Sequence, residues 1–253
     1  NTPLPLPSSS SSSPPVPYLL TKTHCSGYCA TCSPSRYIVS GEEFLKSCAL
    51  CRTRPKLDGQ GKVSYYGEAI IPRRNIRLVR NPFDNVVSNY HLAMRKEPKG
   101  QKAAAENPIK VFRQFCKARD EAYAKSSTNR PKLKRYNKLF RKVPCHQNFF
   151  RYIQWHNNAD YVTDATEKRP NGTQVITSSL VVHYEDYEKD FDGTKKRIFD
   201  FLDAEAVHPP PQFHVGKTYA SYFTDEERAA AWKFMEEAAK PSVWEKIKRY
   251  KST

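Results

Sequence analysis

Arg80 and Ser88 are the residues whose types and spacing most plainly suggest chemistry. They belong to the stretch Leu78-Val79-Arg80-Asn81-Pro82-Phe83-Asp84-Asn85-Val86-Val87-Ser88. Ile76, Leu78 and Val79 form an apolar run that predicts a buried strand. Pro82 suits the first turn of a helix, where its missing N–H costs nothing. Arg80 then falls at the carboxyl end of the strand, and Ser88 a little over two turns into the helix. Open α/β sheets bind ligands at such strand ends, and a helix start favours anions. A guanidinium and a hydroxyl placed there suit a phosphate, the first as a bidentate charge-assisted donor and the second as a neutral one. The competing reading is an ion pair between Arg80 and a carboxylate such as Asp84.

A second cluster is built from cysteine. Five of the seven cysteines, Cys25, Cys29, Cys32, Cys48 and Cys51, fall close together, as C-x3-C-x2-C followed by C-x2-C. That spacing fits disulfides of a secreted or lumenal protein, or a zinc knuckle to which His24 adds a ligand. The glycosylation tripeptide Asn171-Gly172-Thr173 favours disulfides, and no metal is expected.

The elements that must position these groups follow from composition and periodicity. A chain of 253 residues with 38% hydrophobic content can bury one sizeable core. Residues 1–17 are almost all Pro and Ser and are expected to be disordered. Residues 18–253 then form the folded domain. Val16 to Thr23 reads as a strand, Gly41 to Cys48 as a short helix, Arg73 to Arg80 as a strand and Phe83 to Arg95 as its helix. Residues 25–51 are a Cys-rich excursion. Residues 96–145 read as a basic helical insertion with one amphipathic helix around Ile109 to Ala124. Phe149 to Ala159 is an aromatic helix whose Trp155 and His156 are expected in or near the core. Val175 to Tyr184 reads as a buried strand. The next helix, Thr194 to Leu202, is expected to bury Ile198, Phe201 and Leu202. Thr224 with Glu227, and Ser242 with Glu245, are capping-box signatures for two last helices. Strands alternating with helices give an α/β fold, a parallel sheet flanked by helices.

The formal net charge of +16 calls for an anionic partner: nucleic acid, acidic glycan, membrane surface or nucleotide phosphate. The basic residues concentrate between Glu121 and Asp160, where no acid occurs. No window is long and apolar enough to cross a membrane.

The order of three motifs resembles the PAPS-dependent sulfotransferases. They are Lys22-Thr23-His24, then Arg80-Asn81-Pro82 with Ser88, then Val182-His183-Tyr184-Glu185-Asp186. The stretch Val181 to Asp186, with Tyr222-Phe223-Thr224-Asp225, resembles the membrane-anchored WSC-domain type more than the cytosolic one. The resemblance implies the P-loop NTPase-like sulfotransferase fold. It gives Arg80 and Ser88 to the 3′-phosphate of the cosubstrate PAPS, with Lys217 in a basic loop beside it. His24 matches the general base that takes the acceptor's proton, a role an imidazole titrating near neutrality suits. Lys22 would neutralise sulfonate charge, or is an ordinary strand-end lysine. Tyr184, Glu185 and Asp186 chiefly support the fold around the site.

Two departures from the family pattern accompany this. Cys25-Ser26-Gly27 follows His24 where an apolar residue and proline are usual. No loop for the 5′-phosphosulfate precedes Lys22, so the domain is expected to be N-terminally truncated and poorly active by itself. The implied function is transfer of a sulfonate from PAPS to an acceptor hydroxyl on a glycan, acidic glycan included, or on another secretory-pathway substrate, with no nucleic-acid partner. The expected place is the Golgi lumen, with an anchor outside this sequence and the cytoplasm as the alternative. The competing function is a non-catalytic basic module that binds polyanions or nucleic acid and holds zinc in its cysteine cluster. The acceptor's identity is not written in any motif.

Overall fold

Arg74 to Val79 form a strand because β-rich, apolar positions there meet a matching partner more than 100 residues later in the chain. The computed structural model describes residues 41, 44, 51–55, 62–66, 74–95, 98–127, 136–163, 178–205, 208–209 and 219–251. Strands β1 (Cys51–Pro55) and β2 (Lys62–Tyr66) make an antiparallel ribbon, Cys51 opposite Tyr66 and Pro55 opposite Lys62. Strand β3 (Arg74–Val79) pairs in parallel with β4 (Ser178–His183), from Arg74 opposite Ser178 to Val79 opposite His183. A parallel pair needs a long crossover, and here helices supply it.

Helix α1 (Pro82–Met94) follows β3 directly, with Pro82 in its first turn as expected. Helices α2 (Pro98–Glu106), α3 (Pro108–Ser127), α4 (Asn137–Phe140) and α5 (His146–Thr163) come next. After β4 come α6 (Asp186–Lys189), α7 (Phe191–Leu202), α8 (Asp225–Ala238) and α9 (Pro241–Ile247), with a closing 3-10 turn at Lys248–Tyr250. The observed architecture is a small parallel sheet in a helix-rich body, compatible with the α/β class. Gly41 and Phe44 are helical, within the helix expected there. Phe44 is buried edge-on against Trp155 of α5.

One core gathers most of these elements. Phe83 of α1 meets Phe149 of α5, Phe223 and Trp232 of α8 edge to face, at 5.1, 5.1 and 5.5 Å. Phe112, Cys116 and Tyr123 of α3, and Phe140 of α4, belong to the same buried cluster. The basic segment 96–145 therefore supplies core as well as charge. Cys116 and Cys145 form a disulfide that ties α3 to the start of α5. These are the two cysteines outside the clustered five, and no local pattern pairs them. Cys145 has a φ of 58°, in the left-handed region that a non-glycine residue enters only when neighbouring structure holds it there.

Several expectations on burial need correction. In β3 the inward positions are Arg77 and Val79, whereas Ile76 and Leu78 are 36% and 50% exposed. The apolar run thus straddles both faces of the strand, and the pleat sends Arg77 inward to partners on α5. In β4 only Val182 is fully buried, and 175–177 lie outside the described residues. In α7 the buried residue is Thr194, while Ile198, Phe201 and Leu202 are half-buried. Among the described residues the sheet it packs on has two strands, β3 and β4.

The Thr224–Glu227 capping box is present in both directions, with Glu227 N–H to Thr224 Oγ1 at 3.3 Å and Thr224 N–H to Glu227 Oε2 at 2.9 Å. The second capping box is absent. Helix α9 starts on Lys240 and Pro241, and Ser242 instead donates its hydroxyl to Asp160 of α5. No helix among the described residues is long and apolar enough to cross a membrane.

Candidate functional site

The end of β3 is fixed by three donors, from Phe83, Tyr152 and Tyr184, and by one acceptor, Glu185. Asn81 caps α1, its Oδ1 accepting the N–H of Phe83 at 3.0 Å, which is why the chain turns from strand to helix here. Tyr152 of α5 donates its hydroxyl to the Arg80 carbonyl at 2.7 Å. The Tyr184 N–H donates to the Val79 carbonyl at 2.7 Å, prolonging the β3–β4 ladder by one bond. The Asn81 N–H donates to Glu185 Oε1 at 2.8 Å. Glu185 Oε2 accepts the Tyr250 hydroxyl at 2.7 Å, and that hydroxyl lies 2.8 Å from His183 Nδ1. A carboxylate only accepts, so the single Tyr250 proton goes to Glu185 and His183 Nδ1–H donates to Tyr250. Burial first, and then the nearby Arg249, hold the His183 imidazole below its ordinary pKa.

The side chain of Arg80 emerges from this clamp. Its guanidinium lies over the Tyr184 ring, 4.7 Å from the centroid, a cation–π arrangement that fixes its plane. Its Nε is buried and has no hydrogen-bond partner among the described residues, and no carboxylate there lies within ion-pair distance. The Asp84 pairing weighed from the sequence is therefore not made. Asp84 accepts the N–H of Tyr219 at 3.2 Å instead. Its carboxyl is raised above the usual range, first by burial, although the Tyr219 N–H and the Arg80 charge oppose that.

Ser88 is half-buried one turn beyond Asp84 on the same side of α1. No described group hydrogen-bonds its hydroxyl. Three residues further on that side lies His91, whose ring is 5.3 Å from that of Tyr219 and 5.9 Å from that of Tyr222. Asp84, Ser88 and His91 thus share a stripe of α1, and Tyr219 closes over it. Tyr219 follows Lys217 by two residues. Lys217 itself lies outside the described residues, as do Lys22, His24 and the sequon at Asn171. The five clustered cysteines lie there too, apart from the backbone of Cys51 in β1. Among the described residues no group of three or more His, Cys, Asp or Glu side chains is placed to hold a metal.

Residues 73–219 match the family model described as "Sulfotransferase domain", more than half of the chain. The chain belongs to the sulfotransferase family. No curated protein and no solved structure matches it. The matched range of this sulfotransferase takes in residues 96–145. It also contains both Arg80 and Ser88.

Some residues that shape the site carry no sequence signal. Tyr152 and Tyr250 reach the β3 end from 72 and 65 residues away, on Arg80 and Glu185 respectively. Arg77 is the other. It is 4% exposed and donates to His156 Nδ1 from Nε at 3.2 Å and to the His156 carbonyl at 3.1 Å, and it pairs with Asp160. Asp160 also accepts from Lys246 at 2.8 Å and from Ser242. His156 and Trp155 lie on α5 as expected, with His156 buried, and this network joins β3, α5 and α9 behind the site.

Proposed function

We propose that this sulfotransferase moves a sulfonate group from PAPS to an acceptor hydroxyl, with Arg80 and Ser88 holding the 3′-phosphate of PAPS. The observation that carries the assignment is the buried Arg80 Nε without a hydrogen-bond partner among the described residues. A buried donor left unpaired costs about 1–3 kcal/mol, so its persistence argues for an anion that completes it. A planar guanidinium held against Tyr184 suits two parallel bonds to phosphate oxygens. Ser88 adds its hydroxyl from the second turn of α1, and Lys217, two residues before Tyr219 in the sequence, adds charge.

When bound, PAPS supplies the activated sulfonate. His24 takes the proton of the acceptor hydroxyl as its oxygen bonds the sulfur and the sulfur–oxygen bond to the 5′-phosphate breaks, releasing adenosine 3′,5′-bisphosphate, and Lys22 offsets negative charge on the sulfonate. The Cys116–Cys145 disulfide supports an oxidising compartment, and with it the reading of the Golgi lumen. The surplus of Lys and Arg supports an acidic acceptor.

Calorimetric titration with adenosine 3′,5′-bisphosphate tests the phosphate site. Wild-type protein binds it, and Arg80→Ala weakens binding about 10- to 100-fold, the loss of charge-assisted hydrogen bonds. Unchanged affinity in Arg80→Ala would remove the assignment. His24→Ala is expected to retain that affinity and lose sulfonate transfer to a glycan acceptor.

A further inference from the structure

Arg80 has two acidic neighbours, and both are occupied elsewhere. Asp84 accepts the Tyr219 N–H. Glu185 has one oxygen on the Asn81 N–H and the other on the Tyr250 hydroxyl. Glu185 is nonetheless close: it follows Tyr184, whose ring lies under the guanidinium, and it bonds the amide of the residue after Arg80. A carboxylate in that position is the natural competitor of a phosphate for the same arginine.

We propose that Tyr250 is a positioning residue of the anion site, its hydroxyl tethering Glu185 to the C-terminal turn and so leaving the Arg80 guanidinium available to phosphate. The proposal rests on the reading of Arg80 as a phosphate ligand.

Tyr250 is built to be a fixed donor. It is 4% exposed, and its oxygen accepts from His183 Nδ1, which aims its single proton at Glu185. Burial first, and then the bond to Glu185, push its phenol far above the ordinary range, so it stays protonated at any physiological pH. The turn that carries it is anchored by buried Ile247 and by Arg249, which donates to Asp186 at 2.8 Å. Arg249 is thereby engaged and does not take over Glu185. Removing the Tyr250 hydroxyl would leave one Glu185 oxygen partly buried without a donor. A carboxylate in that state turns to the nearest available cation. That cation is Arg80, whose Nε has no partner among the described residues.

The test is the affinity of the full chain and its variants for adenosine 3′,5′-bisphosphate, with thermal melting to follow the fold. Tyr250→Phe keeps the ring and is expected to bind about tenfold more weakly, because phosphate must first displace Glu185 from Arg80. Adding Glu185→Gln to that variant is expected to restore affinity, since a neutral amide does not compete for the guanidinium. Glu185→Asp, which keeps the charge but falls short of Tyr250, weakens binding in the same way and serves if Tyr250→Phe does not fold. Undiminished affinity in a folded Tyr250→Phe, or in Glu185→Asp where Tyr250→Phe does not fold, overturns the proposal. So does a loss that Glu185→Gln fails to restore, because a merely structural tyrosine would behave so. If Arg80→Ala binds as wild type, the phosphate reading falls, and this proposal with it. If Arg80→Ala weakens binding and Tyr250→Phe does not, the tether alone is wrong.

Discussion

Arg77 carries its charge into the core of β3, and three neighbours make that tolerable. A guanidinium only donates, so the His156 Nδ1 that faces it must be unprotonated, and the ring is the Nε2–H tautomer. Burial first, and then the Arg77 charge, hold the His156 imidazole well below its ordinary pKa. Burial raises the Asp160 carboxyl, but the bonds from Lys246 and Ser242 and the Arg77 charge outweigh it, and the net shift is down. Both groups therefore bind protons more readily in the unfolded chain. For each, the stabilisation is complete above the unfolded pKa and is lost as pH falls toward the folded one. Denaturant midpoints are expected to be flat from neutrality to about pH 9, below the range where the unfolded tyrosines begin to ionise. They should decline as pH drops below the usual histidine value of 6.5, and decline again below the usual aspartate value of 3.8. In His156→Gln the first decline should be reduced, though His183, also depressed, contributes to it. A midpoint indifferent to pH between 7 and about 5 would contradict this tautomer and its burial.

At the scale of elements, the join of β3 to α1 carries both shape and function. Asn81 serves it twice, with its side chain on Phe83 N–H and its own N–H on Glu185. Asn81→Ala removes only the first bond, and is expected to cost about 1 kcal/mol of stability, as cap deletions do. Because Arg80 precedes the cap directly, the same variant should bind adenosine 3′,5′-bisphosphate several-fold more weakly; parallel chemical denaturation and titration separate the two effects. The β3–α1 join was readable in the sequence because its signals are local: an apolar run and Pro82 within seven residues. The second capping box failed for a complementary reason. Ser242 has the right spacing, but Asp160 competes for its hydroxyl and lies 82 residues away. The burial of α7 was misjudged because amphipathic spacing says which residues share a face and not how completely that face is enclosed.

At the scale of the molecule, α3 and α5 are held together by the Cys116–Cys145 disulfide, which closes a loop of 29 residues around the basic segment. Cross-linking a loop of that length removes about 3–4 kcal/mol of chain entropy from the unfolded state on the loop-closure model. Both sulfurs belong to buried residues, so reduction is expected to be slow in the folded protein and rapid in denaturant. Cys116→Ser with Cys145→Ser should lower the unfolding free energy by about that amount, measured by urea titration against the oxidised wild type. Equal stability of the two would mean that the packing of Phe112, Tyr123 and Phe140 already fixes α3 on α5.

The sequence by itself determined the family, the strand-to-helix join and the two residues, Arg80 and Ser88, that suit a phosphate. The join and the phosphate pair depend on contacts within about a dozen residues, where spacing is geometry, and the family was legible in the order of three motifs between Lys22 and Asp186. Tertiary structure alone decided whether Arg80 would be free to act. Asp84 and Glu185 stand near it in equal right, and only distant partners, the Tyr219 amide and the Tyr250 hydroxyl, take them up. It likewise decided that Arg77, between two apolar residues in the chain, should be the buried one. A strand's two faces alternate by rule, but which face is inward depends on the helix that comes to cover it, and here α5 brings His156 and Asp160.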